Sequence, residues 1–222
     1  MLLGIAYFPP ISYFALMAEG KTVHIEACEN YQKQSWRNRC RYYAADGPQY
    51  LNFPVVHEGG THELPITKIK VDYSTPWVIR TERAIASAYE SSAYFDYYKD
   101  ELFAILDSKP ETLFELDMQI IRFFLKKTRI EADIRLTEEY VPQVPVVLHA
   151  HQPQPVSEPV EGDYREILHP KRPDTVLKDL GLEKPYYQVF AQKYGFIPNL
   201  SIMDLLFNEG PDSILYLKVP GR

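Results

Sequence analysis

Residues 2–28 read "LLGIAYFPPISYFALMAEGKTVHIEAC", and the order of signals in them decides the fold. Leu2 to Phe8 is a compact apolar run closed by Pro9-Pro10. Ile11 to Ala18 follows, with Phe14, Met17 and Ala18 at helical spacing, and Gly20 ends it. In "TVHIEAC", Val23, Ile25 and Ala27 then alternate with polar residues, the period of a strand. Strand, helix, strand with short connections is a βαβ unit, whose parallel strands require a crossover. The expected fold class is therefore α/β with a Rossmann-like opening. In such sheets the ligand crevice lies at the carboxyl end of the first strand, beside the start of the next helix. Tyr7 and Ser12 fall there. No Gly-rich phosphate fingerprint accompanies them, which argues against a dinucleotide site.

Outward from this opening, "RCRYYAADGPQYLNFPVV" reads as a β-hairpin around Asp46-Gly47, and "ITKIKVDY" as a further strand. A helical block runs from residue 75 to 127. Thr75 is the expected N-cap of its first helix, with Pro76 at the first helical position. A second helix covers Asp96 to Leu106. The third opens on Ser108-Lys109-Pro110-Glu111, an S-x-x-E capping box, and carries Leu113, Leu116, Ile120 and Phe124 on its buried stripe. "IEADIRLTEEY" returns to a strand. Residues 141–173 hold seven of the 18 prolines with little periodicity, the mark of an irregular excursion or lid on the surface. The C-terminal part is helical in two pieces, with Gly195 capping the end of one and Asn199 or Ser201 the start of the other. The expectation is one domain over residues 1–222.

Composition bounds the function. The 222 residues are 45% hydrophobic and 24% charged, with a net charge of −6, so no global positive field collects nucleic acid. Aromatic residues reach 14%, with tyrosine the commonest at 17; phenols bury area and keep a hydroxyl for a polar ligand. Cys28 and Cys40 make neither a disulfide framework nor a metal spacing. The apolar start lacks a basic flank and is broken by Pro9-Pro10, and no run long enough to span a membrane occurs elsewhere, so a cytoplasmic protein is expected. His149 and His151 form an H-x-H pair with no third ligand, His57 and His62 flank Gly59-Gly60, and His24 stands alone; no metal is expected. No nucleophile motif is present, and the residues name no cofactor.

The densest chemistry is "ENYQKQSWRNRCRYY", residues 29–43. Lys33, Arg37, Arg39 and Arg41 stand against a single acid, Glu29. Guanidinium forks match carboxylate or phosphate, and Tyr31 and Trp36 offer rings for stacking. Asn30, Gln32, Gln34 and Asn38 suit a neutral polar ligand equally well. Glu26 and Glu29 end the second strand, where a general base can sit; at that spacing at most one faces a given site. Asp204 and Glu209 are the other candidate acids or bases.

The segments "YFPPISYFALM", "ENYQKQSWRNR", "DYSTPW", "AIASAYESSAYFDYY" and "QVFAQKYGFIPNLSIMDLLFNEG", in this order, resemble the WbqC-like family of bacterial proteins. The family's motif positions carry over as Tyr7, Pro9, Tyr13, Tyr31, Gln32, Lys33, Trp36, Asn38, Arg39, Trp77, Asn199, Ser201, Asp204, Asn208, Glu209 and Gly210. Two departures stand out: Ala6 where many members have Gln, and Thr81 where many have His. The resemblance implies a place in surface-polysaccharide (O-antigen) biosynthesis and, for one branch, glycyl or other aminoacyl transfer.

Residues and resemblance together give the expectation of a group-transfer enzyme acting on an anionic, activated small molecule, such as an aminoacyl or nucleotide-sugar donor. Lys33, Arg37 and Arg39 would hold the anion; Tyr7, Tyr31, Gln32, Trp36, Asn38, Trp77, Asn199 and Ser201 would complete the binding surface. Glu29, Asp204 or Glu209 would supply the acid or base. The rivals are a nucleotidyltransferase-like enzyme and a non-catalytic binding or assembly protein of an envelope pathway.

Overall fold

Leu3, Val23 and Ile25 are fully shielded from solvent, and the two short strands that carry them are parallel neighbours. In the computed structural model, which describes residues 1–20, 22–56, 63–142 and 162–219, β1 (Leu2–Gly4) pairs with β2 (Thr22–Glu26) across α1 (Ile11–Glu19). The expected neighbouring parallel strands are therefore present. The chain then leaves the sheet for a hairpin, β3 (Arg39–Ala44) with β4 (Gly47–Asn52), and for three helices, α2 (Trp77–Tyr89), α3 (Phe95–Asp107) and α4 (Leu113–Thr128). It returns as β5 (Asp133–Leu136), parallel to β2 on its other side, so β2 is the central strand of the order β1-β2-β5. The fold is mixed α/β, with a parallel three-stranded sheet and a helical block.

Three local readings need correction. "ITKIKVDY" is not a strand: Ile66–Lys68 is a 3-10 turn, and only Lys70 and Val71 make isolated bridges, to Thr112 and Val55. Its buried residues Ile66 and Ile69 are three apart, the repeat of that turn, rather than two. The capping box of α4 is formed by Thr112 and Glu115, not by Ser108 and Glu111. Ser108 belongs to the end of α3, where its Oγ donates to the Ile105 carbonyl (2.8 Å). In α2 the cap position is held by Pro76, and Thr75 makes no side-chain cap.

Residues 162–219 complete the fold. At the outer edge of β1, Leu2 N–H donates to the Gly162 carbonyl (2.8 Å) and Tyr164 N–H to the Leu2 carbonyl (3.0 Å). Short helices α5 (Val176–Asp179) and α6 (Ala191–Tyr194) lead to α7 (Ile202–Glu209), which is buried along most of its length. Gly210 ends α7 at φ +55, and a Cβ there would lie 2.5 Å from the Tyr94 ring, so glycine is required. His57, His62, His149 and His151, and most of the Pro-rich stretch, lie outside the described residues. No described helix is long and apolar enough to cross a membrane, and the described residues contain no group of metal-ligating side chains.

Candidate functional site

The turn after β1 is held under backbone strain. Phe8, fully buried, sits at φ +42, a region that costs a bulky residue energy. Tyr7 N–H donates to the Trp36 carbonyl (2.8 Å) and Ile202 N–H to the Pro9 carbonyl (2.9 Å), which pins the turn from both sides. Tyr7 points its ring edge-on to Phe8 and Phe53.

The motif after β2 lies against that turn. Glu29 and Arg37 form a buried two-point pair, Nε donating to Oε1 (2.8 Å) and Nη2 to Oε2. Gln32 Oε1 accepts from Arg37 Nη1 (3.3 Å), and Ser35 caps the 3-10 turn Trp36–Asn38 that carries the arginine. Burial pushes the Glu29 carboxyl up and Arg37 pulls it back. A Cβ on Gly4 would stand 3.4 Å from Arg37 Nη2, so the small residue lets the pair lie close to the end of β1.

Glu26 has its own partners. Its Oε2 accepts from Arg165 Nη1 (3.1 Å) and Val141 N–H (3.0 Å), and its Oε1 from Thr137 Oγ1 (2.6 Å) and Cys28 N–H (2.9 Å). Arg165 also grips Asp163, Nη2 to Oδ2 at 2.6 Å, and its guanidinium lies over the Tyr140 ring, 5.6 Å from the centroid. A single carboxylate at the end of the central strand thus holds the chain at both 141 and 165.

A pocket of about 560 Å³ opens here, lined by Cys28, Glu29, Asn30, Tyr31, Gln32 and Tyr140. It begins two residues beyond the carboxyl end of β2, where open α/β sheets place their ligands. Its polar groups are amides and phenols, and Glu29 is already paired. Arg37 is committed to Glu29, which corrects its expected role as an open anion holder. Arg39 lies over the exposed Tyr50 ring (5.6 Å), onto which Trp36 also stacks. Lys33 is exposed.

The C-terminal candidates stand elsewhere. Asn199 and Ser201 work as caps: Asn199 Oδ1 accepts from Ser12 N–H (2.9 Å), and Ser201 Oγ from Met203 N–H (3.4 Å). The amides at the start of α7 are all used, Ser201 N–H on the Arg41 carbonyl, Ile202 N–H on Pro9 and Asp204 N–H on Ser201. They approach the Pro9-Pro10 turn but offer an anion nothing. Asp204 is buried, receives Tyr186 Oη and Gln188 Nε2 (2.5 and 2.9 Å), and is pushed up by burial to about 6. Glu209 accepts from Tyr187 N–H (3.0 Å). Neither lines the pocket. Asn38 Nδ2 donates to the Phe53 carbonyl (2.9 Å), and Trp77 stacks on Tyr73 and Phe53. A second concavity of about 210 Å³, largely carbon-walled, lies by Ile11, Tyr186, Phe196 and Tyr216.

The residue that sequence reading passed over is Asp117, on α4. It is fully buried, and neither carboxyl oxygen has a hydrogen-bond partner among the described residues. The signal was present: Asp117 lies on the same stripe as Leu113, Leu116, Ile120 and Phe124, where an acid is out of place.

The family model described as the WbqC-like protein family matches residues 6–152. The chain belongs to that family. The matched range holds the Tyr7 turn, Glu29–Arg37, Asp117 and all of the pocket lining, whereas Asn199, Ser201, Asp204 and Glu209 lie beyond it. This WbqC-like chain is also similar to "Uncharacterized protein Rv1507c" of Mycobacterium tuberculosis (strain ATCC 25618 / H37Rv), 27% identical over 96% of this chain and 94% of the relative. No solved structure matches.

Proposed function

We propose that this WbqC-like protein is a group-transfer enzyme of bacterial surface-polysaccharide biosynthesis that takes its group from an anionic, activated donor, of the nucleotide-sugar or aminoacyl kind. The observation that supports this reading is the pocket wall. One continuous motif, residues 28–32, joins Tyr140 around about 560 Å³ at the carboxyl end of the central strand, within the size range of small-molecule sites. Amide side chains match sugar hydroxyls as donor and acceptor, and phenol rings pack against the carbon face of a sugar. With Arg37 neutralised by Glu29, a neutral sugar suits the pocket itself, and exposed Lys33 is left for the donor's phosphate.

A thermal-shift panel tests it. Nucleotide-sugars, aminoacyl-nucleotide analogues, nucleoside triphosphates and free amino acids are each added to the full chain. A donor at about a hundred times its Kd stabilises by ~2.7 kcal/mol, or roughly 5–10 °C for a chain of this size. Stabilisation by triphosphates alone supports nucleotidyl transfer instead. Stabilisation by a donor that is never consumed supports the binding or assembly role. No stabilisation by any of them removes the reading.

A further inference from the structure

We infer that the carbon-walled concavity beside Tyr186 is a second ligand site, which takes a free α-amino acid with an aromatic or branched apolar side chain. It shares no lining residue with the pocket at residues 28–32 and Tyr140. Ile11 at the start of α1 and Leu177 on α5 form one side, both buried. Phe196 and Tyr216 complete it, each meeting the Tyr186 ring edge-on with centroids 5.3 and 5.7 Å away. An apolar cavity of about 150 Å³ holds a benzene ring. The space here is about 210 Å³, which admits a ring or a branched alkyl group together with its stem.

Apolar side chains around a void lose contacts that collapse would restore. This frame is held open by buried hydrogen bonds behind it. Tyr186 Oη donates to Asp204 Oδ2. Gln188, itself buried, donates from Nε2 to Asp204 Oδ2 (2.9 Å) and to the Ile197 carbonyl (2.8 Å), and its Oε1 accepts from Ile197 N–H (2.9 Å). One amide thus fixes the stretch that carries Tyr186 against the stretch that carries Phe196. At the other end Asn199, at φ +53, is gripped on both sides of its amide. Oδ1 accepts from Ser12 N–H (2.9 Å), and Nδ2 donates to Asp174 Oδ2 (2.7 Å). Polar side chains that hold apolar walls in place are the supporting layer of a preformed site.

The mouth supplies the specificity. Glu183 and Lys184 both line it and both are exposed. Lys184 Nζ lies over the Tyr216 ring, 4.6 Å from its centroid, so the cation is placed at the edge of the hole. An apolar acid would set its carboxylate against Glu183, and an apolar amine its ammonium against Lys184. A zwitterion with an apolar side chain meets all three features: side chain against Tyr186 and Phe196, carboxylate on Lys184, ammonium on Glu183.

The test is isothermal titration of the full chain with L-phenylalanine, L-leucine, glycine, 3-phenylpropionate and phenethylamine. It is repeated on Lys184→Met, Glu183→Gln and the hole-filling Leu177→Trp, with circular dichroism of each variant. L-Phenylalanine or L-leucine should bind, and glycine roughly 10–150-fold more weakly, because it buries no side chain. Each rim variant should weaken the bound amino acid by up to about fivefold. Lys184→Met should leave phenethylamine unaffected, and Glu183→Gln should leave 3-phenylpropionate no weaker, because each ligand lacks the matching charge. Folded Leu177→Trp should bind none of them; if it does not fold, the ligand series and the two exposed rim variants decide. No binding of either apolar amino acid, glycine binding equally well, or 3-phenylpropionate binding more tightly than L-phenylalanine overturns the inference. Donor stabilisation measured on the rim variants should match the wild type, so the transfer reading stands or falls separately.

Discussion

Arg37 and Arg39 are two residues apart and end in opposite circumstances. Arg37 is buried in a two-point pair with Glu29, while Arg39 rests over an exposed tyrosine. Residue types alone made the two equal candidates, because burial depends on what the rest of the chain places over each. Arg37→Met therefore leaves Glu29 buried and unpaired and should cost about 3–5 kcal/mol in urea unfolding, with most of it recovered in Arg37→Met/Glu29→Met. Asp204 shows the same dependence on surroundings. Its ordinary value is 3.8, and burial raises it to about 6 in the folded chain. Between those values the folded chain keeps a proton that the unfolded chain has lost, so this group's contribution to stability falls as pH rises from about 4 to 6. Asp204→Asn should flatten that part of the stability–pH curve; an unchanged slope would show that Asp204 does not titrate there.

The elements were legible wherever local pattern and burial coincide. β1, α1, β2 and the hairpin around Asp46-Gly47 each have a clean period and a turn residue that the backbone needs, with Gly47 at φ +108. "ITKIKVDY" was misread because its alternating letters hide the three-residue spacing of Ile66 and Ile69. The start of α4 was misplaced because Ser108-x-x-Glu111 and Thr112-x-x-Glu115 are both capping patterns, and the choice falls to the end of α3. Thr112→Ala should cost about 0.5–2 kcal/mol and Ser108→Ala much less, a comparison that thermal unfolding settles. The clamp at the end of β2 had no local signal at all, since Glu26 and Arg165 are 139 residues apart. Glu26→Gln should raise hydrogen exchange at Val141 more than at Val23 or Ile25, whose amides lie inside the sheet.

Across the whole molecule, the two helix starts that flank the sheet close on each other. Ile11 N–H donates to the Leu200 carbonyl (3.0 Å) and Ile202 N–H to Pro9 (2.9 Å). The C-terminal segment is fastened to the hairpin through Tyr43 Oη on the Gly195 carbonyl (2.8 Å). This closure accounts for why the segment containing Asn199 and Ser201 reads like a binding motif yet presents no open donor. The pocket is walled instead by residues 28–32 and Tyr140. Whether this pocket receives the donor's sugar is decided by a crystal structure of the full chain with the nucleotide-sugar that stabilises it most. The sugar ring is expected in the pocket against Tyr31 and Tyr140, with its hydroxyls on the amides of Asn30 and Gln32. A donor seated instead in the carbon-walled concavity beside Tyr186, or anywhere away from residues 28–32, would contradict it.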